Sequence, residues 1–120
     1  MSVRVKICGV TNPADAALAV RLGADLIGLN FYPPSPRYVA VETAREIRAV
    51  IPSTVSCVGV FVNAERSHIA SLVEQLNLNI VQFHGDEHVE DLVGWSCQTI
   101  KAVRIASEGP LPELSWISTS

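Results

Sequence analysis

Apolar and polar residues alternate at the start of the chain, with Val3, Val5 and Ile7 set against Arg4, Lys6 and Cys8. This period of two marks a strand with two different faces. The strand ends at Gly9. Asn12, Pro13 and Asp15 then supply an N-cap, a proline at the first helical position and an early acid. Ala17, Leu18, Val20 and Leu22 follow at helical spacing, and Gly23 stops the helix. The same switch recurs down the chain. The pattern predicts a strand over 26–31, a Pro-rich loop over 32–38, and a helix over 42–50 with Ala44, Ile47 and Val50 on one face. A strand over 55–62 comes next. Asn63 is then expected to cap a helix that carries Ile69, Leu72, Val73 and Leu76 and closes at Asn77. Strands over 80–84 and 99–105 flank a short helix around 89–94. Beyond them Gly109, Pro110 and Pro112 break the pattern, and residues 113–120 are expected to form at most a weak helical turn or two.

Strands that alternate with helices imply repeated βαβ units and a parallel sheet. The alternation within each strand predicts one greasy face and a second face that collects Lys6, Cys8, Gln82, His84 and Lys101. A doubly wound sheet, covered by helices on both sides, would be apolar on both faces. A polar face near the strand ends fits a parallel (β/α) barrel better. Residues 1–120 read as a single domain, with 106–120 a poorly specified tail.

Composition narrows the partners. Of 120 residues, 48% are apolar and 18% charged, which excludes a disordered chain. The net charge of -3 gives no electrostatic reason to expect nucleic acid or an anionic membrane. The apolar runs are too short to span a bilayer, and no signal peptide is visible. Three cysteines without paired spacing predict a reducing, cytoplasmic setting with neither disulfides nor a zinc site.

Five ordered blocks carry a resemblance. They are Lys6-Ile7-Cys8-Gly9-Val10-Thr11, Gly23-Ala24-Asp25, the stretch 31–38 (FYPPSPRY), the stretch 58–63 (VGVFVN) and the stretch 81–87 (VQFHGDE). Together the sequence resembles the phosphoribosylanthranilate isomerase family of tryptophan biosynthesis. The resemblance implies a TIM barrel, of which this chain holds about five of the eight βα units. It implies a cofactor-free Amadori rearrangement of N-(5-phosphoribosyl)anthranilate, an aminoaldose, to 1-(2-carboxyphenylamino)-1-deoxyribulose 5-phosphate. An acid opens the sugar ring to a Schiff base, and a base removes the proton from the adjacent carbon. On the family pattern Cys8 is the general base, and a thiol qualifies because it titrates near pH 8.5 and cationic neighbours lower that value. Lys6, two residues earlier on the same face, is expected to help hold the thiolate. Arg37 falls where the family binds the anthranilate carboxylate, which its planar fork matches.

Other readings stand beside these. Cys8 is otherwise a small core residue, the usual fate of a free cysteine, and Arg37 a solvated loop arginine. His84 either orients the substrate or satisfies nearby backbone groups. Asp86 reads as a helix N-cap. Lys101 reads as a structurally paired inward lysine, or as the Schiff-base lysine of a class I aldolase. Cys57 and Cys97 read as packing, His68 and His88 as helix-surface residues. The family's acid is an aspartate after the sixth strand, and its phosphate sits in glycine-rich loops after strands seven and eight. No aspartate follows Ile105 here. Open edges are expected on the first and fifth strands. The chain is therefore expected to be a homo-oligomer, partly disordered after about residue 106, or a piece of a protein whose C-terminal half lies elsewhere. The alternative function is a catalytically inactive half-barrel that serves as a module or assembles with itself.

Overall fold

A computed structural model describes residues 4–105 and 113–119, and side chains over 4–102. Its elements run β1 (Lys6–Cys8), α1 (Pro13–Arg21), β2 (Leu26–Asn30), α2 (Val41–Ala49), β3 (Ser56–Phe61), α3 (Arg66–Leu76), β4 (Ile80–Phe83), a 3-10 turn (Val89–Leu92), β5 (Gln98–Ile105) and β6 (Glu113–Thr119). The first five strands are parallel, and each pairs with the next in sequence. A doubly wound sheet reverses its strand order. The unreversed order here, with helices packed on one face, is that of a partial (β/α) barrel.

Local chemistry explains the helices. Asn12 caps α1 by accepting from the Asp15 backbone N–H at 2.8 Å, and Gly23 ends the turn at φ +97°. Asn77 closes α3 in the left-handed conformation, as its residue type favours. Asn63 is not the cap expected of it. Its φ of 48° places it in a left-handed turn ahead of the helix, and Glu65 holds the N-cap position.

Burial separates the sheet's faces. Ile27, Leu29, Cys57, Phe61, Val81 and Phe83 point outward to α1, α2 and α3 and form the main core. Phe31 stacks on Phe61 with ring centroids 5.3 Å apart. Filling this layer with such side chains contributes about 1.5–3 kcal/mol each. Inside, Leu26, Val58 and Ile80 make a smaller apolar plug.

Three expectations fail here. The helix expected to run through Ala17, Leu18, Val20 and Leu22 ends at Arg21 and buries Ala16 and Ala19 instead, leaving Leu18 exposed and Leu22, its C-cap, 78% exposed. Val5, just before β1, and Ile7 within it are likewise 45% and 40% exposed. Both follow from position, because β1 is an edge strand with a parallel neighbour on one side only. The third concerns the C-terminus, where 113–119 form a strand and not a helical turn. That strand, β6, runs antiparallel along β5, so the second open edge belongs to β6. Trp116, Ile117 and Thr119 favour extended backbone, and an unpaired strand edge supplies the template. Residues 106–112, on which the expected disorder mostly falls, lie outside the described residues.

Candidate active site

The C-terminal ends of β1, β2, β3 and β4 surround a cavity of about 740 Å³ lined by Lys6, Cys8, Asn30, Tyr32, Ser35, Val60, Val62, Gln82 and His84. Strand register brings these groups together. Lys6 and Cys8 lie level with Leu26 and Gly28, Gly28 with Val58, and Val60 with Gln82. Parallel partners share a face, so alternate residues of four strands converge inward. Three of the residues singled out from sequence, Cys8, Lys6 and His84, thus share one cavity.

The cavity floor is a hydrogen-bonded chain. Lys6 Nζ donates to Gln82 Oε1, and Gln82 Nε2 lies 3.4 Å from His84 Nδ1. Burial holds the Lys6 ammonium below its ordinary value, while negative charge on Cys8 works the other way. The Lys6 nitrogen is therefore tied to Gln82, beyond the pairing with Cys8 that sequence spacing suggested. Above this chain Cys8 is exposed at the cavity's mouth. Gly28 makes its room, since a Cβ there would lie 2.9 Å from Cys8 Sγ.

Arg37 reaches the site from outside the barrel. It lines a neighbouring groove of about 330 Å³ with Ile7, Gly9 and Val10, and Cys8 lines both spaces. Gly9 permits the approach. Its φ of +82° suits the turn, and a Cβ on it would sit 2.5 Å from Arg37 Cδ. The loop is braced by Ser35 Oγ, which accepts from the Arg37 backbone N–H at 3.1 Å. Cys8 and Arg37 are thus joined across a single glycine.

A second polar cluster sits after β3 and β4, and its members satisfy one another. Glu87 Oε1 accepts from Lys101 Nζ at 2.8 Å and from the Gly85 N–H at 2.8 Å, and Oε2 from the Asn63 N–H at 2.7 Å. Lys101 Nζ also donates to the Gly85 carbonyl, and Asn63 Oδ1 accepts from the Asp86 N–H at 2.9 Å. Burial alone would raise the Glu87 pKa, yet Lys101 and the backbone N–H groups outweigh it and hold the carboxyl below its usual value.

That cluster corrects two expectations. Lys101 does not share the face of Cys8, because it lies level with Phe83 and Ile100 takes the place beside Gln82. Register, which alternation within one strand cannot reveal, decides the matter. Lys101 is paired with Glu87 and is not among the residues that line the cavity, in keeping with the structurally paired reading. Asp86 is not a helix cap either. His88 holds that position before the 3-10 turn, and its N–H donates to Asp91 at 2.9 Å.

Two further corrections are local: His88 is the N-cap of the 3-10 turn and not a helix-surface residue, and Val50, expected on the packed face of α2, lies past its end and is exposed. Cys57 is fully buried, and burial pushes its thiol up to about 11. Cys97 is half-buried and also raised by burial. His68 is exposed on α3, with its ring perpendicular to that of Phe61. Sequence reading gave no role to Gln82, Gly28 or Glu87. Gln82 had a signal, a polar residue between Val81 and Phe83 in an otherwise apolar strand. Among the described residues no cluster of His, Cys, Asp and Glu has the arrangement of a metal site, and no helix is long and apolar enough to cross a membrane.

Comparison with known proteins supplies the family. The sequence model described as N-(5'phosphoribosyl)anthranilate (PRA) isomerase matches residues 5–113. The N-(5'-phosphoribosyl)anthranilate isomerase of Pseudomonas fluorescens strain Pf0-1 is 47% identical over 104 residues, which are 87% of this chain and 51% of that protein. A crystal structure of the Thermus thermophilus phosphoribosyl anthranilate isomerase superposes at a TM-score of 0.81 with 40% identity, over 91% of this chain and 55% of that one. Another, in complex with reduced 1-(o-carboxyphenylamino)-1-deoxyribulose 5-phosphate, superposes at 0.73 with 49% identity, over 75% of this chain and 46% of that one. The chain spans about half the length of the curated relatives it matches.

Proposed function

We propose that this chain, which belongs to the N-(5'-phosphoribosyl)anthranilate isomerase family, carries the base and carboxylate-binding side of a cofactor-free aldose–ketose isomerase. One observation carries the reading. Cys8 stands where an inward polar cavity with His84 meets the groove that holds Arg37, at the strand ends where such barrels perform their chemistry. Arg37 binds the carboxylate of the anthranilate end, its bidentate fork fixing the ring's orientation. The sugar lies over the cavity. Cys8 as thiolate removes the proton from the sugar carbon next to the Schiff base, and the electrons left behind give the enolamine. His84 orients the sugar, and Lys6 acts through Gln82 to hold the floor beneath it.

The ring-opening acid and the phosphate cradle are expected from a C-terminal half like those of the full-length relatives. On this reading the chain works in the cytoplasm on a small phosphosugar, with neither nucleic acid nor membrane as a partner. Expression in a tryptophan auxotroph lacking the isomerase tests this. The 120-residue chain alone should not restore growth, whereas the chain joined past Ile105 to the C-terminal half of the Pseudomonas fluorescens relative should. Failure of the joined protein, folded and soluble, would refute the assignment.

A second reading has its own observation. Val5, Ile7, Leu18 and Leu22 form an exposed apolar surface beside the open edge of β1. Such a surface suits a catalytically silent module that assembles with itself or with another barrel half. Rescue by the joined protein with Cys8 replaced by Ala would favour that module and remove chemistry from the account.

A further inference from the structure

Gln82 is 2% exposed and flanked in register by Val60 and Ile100, so its amide has to find partners within the chain. It has two facing the cavity. Lys6 Nζ donates to one end of the amide and His84 Nδ1 lies 3.4 Å from the other. The chemistry of the three groups settles which proton goes where. An ammonium is a donor without an acceptor site, so the amide end it touches is the carbonyl oxygen. The other end is then the NH₂ group, which can only donate. His84 Nδ1 must therefore offer its lone pair, and the neutral ring carries its proton on Nε2.

We propose that Gln82 is a positioning residue that, held by Lys6, fixes His84 as the Nε2–H tautomer facing the cavity. The consequence rests on the isomerase reading above. Locked in this way, the neutral His84 is a hydrogen-bond donor to an oxygen of the sugar phosphate. Its Nδ1 is engaged and its Nε2 protonated, so it does not compete with Cys8 for the substrate's carbon-bound proton. Lys6 and His84 thereby act on the substrate as one unit, with the amide as the rigid link between them.

Long-range proton–nitrogen correlation spectra of the full 120-residue chain read the tautomer directly, without substrate. Spectra are taken near pH 8.5, above the ordinary histidine value of about 6.5, and His84→Asn assigns the resonances among the three histidines. The native chain should show a bare Nδ1 and a protonated Nε2. In Gln82→Glu the carboxylate accepts from both neighbours, so the proton should move to Nδ1 or a second proton should bind. Gln82→Leu removes the donor, and the ring should relax to a mixture of tautomers. A protonated Nδ1 in the native chain overturns the proposal, as does a Gln82→Glu spectrum identical to the native one. Should either substitution unfold the chain, the native spectrum and the other variant still decide. An expected set of tautomers in a chain whose joined form lacks isomerase activity would sink the functional reading alone. The reverse result would sink this inference alone.

Discussion

Two polar clusters sit at the same end of the same sheet, and they differ in what their polar groups face. After β3 and β4, Asn63, Gly85, Glu87 and Lys101 turn toward one another, and the Glu87 side chain is only 6% exposed. After β1 and β2, the Cys8 thiol borders both the cavity walled by Lys6, Gln82 and His84 and the neighbouring groove that Arg37 lines. A polar group spent on its neighbours stabilises a loop. One aimed at a cavity, with its backbone held by tight glycine turns, is left for a ligand. The contrast sorts residues that composition cannot, since each cluster pairs a lysine with a group able to carry negative charge near a strand end.

The contrast can be broken in descending order of effect. Removing the base by Cys8→Ala in the joined protein should lower kcat by roughly 10²–10⁴-fold, the usual worth of a positioned acid–base group, with melting hardly moved. Arg37→Ala should instead raise KM, by about 10- to 100-fold if one charge-assisted bond of about 1.5–3 kcal/mol is lost; steady-state kinetics separate the two. Glu87→Gln should destabilise the chain by about 1–3 kcal/mol in urea titration, because Lys101 and two backbone N–H groups lose their charged acceptor. Its pH dependence has a fixed sign. The folded-state pKa of Glu87 is depressed, so its contribution is present above the ordinary carboxyl value and fades as pH falls through the lower folded value. Native and Glu87→Gln stabilities should therefore differ near neutrality and converge in acid. Finally, thiol alkylation at neutral pH should label the exposed Cys8 first, Cys97 more slowly, and buried Cys57 only on unfolding.

Much of this arrangement was legible in the sequence, and the reasons differ between elements. The helix signals at Asn12, Gly23 and Asn77 act over three or four residues, so reading them needs no tertiary knowledge. Alternation placed Lys6, Cys8, Gln82 and His84 on one face because those strands lie in the sheet's interior or lead it. Lys101 escaped because the phase of β5 against β4 is set by pairing, which leaves no local trace. Asn63 and Asp86 resembled caps, yet their partners lie in each other's loop, 23 residues apart. Leu18 and Leu22 followed a helical period and still remained exposed, since burial also depends on what lies beyond the β1 edge. The strand over 113–119 was missed for a related reason. Residues 106–112 separate it from its partner β5, and Ser115 and Ser118, three apart, break the alternation.

Turnover per folded molecule, compared between Cys8→Ala and Glu87→Gln in the joined protein, puts the distinction between the two clusters to its most direct test. The account predicts that Cys8→Ala abolishes nearly all turnover in a fully folded population. Glu87→Gln should lower the folded fraction and leave turnover of the folded molecules unchanged. Near-native turnover in Cys8→Ala, or a loss in folded Glu87→Gln as deep as that expected of Cys8→Ala, would contradict it.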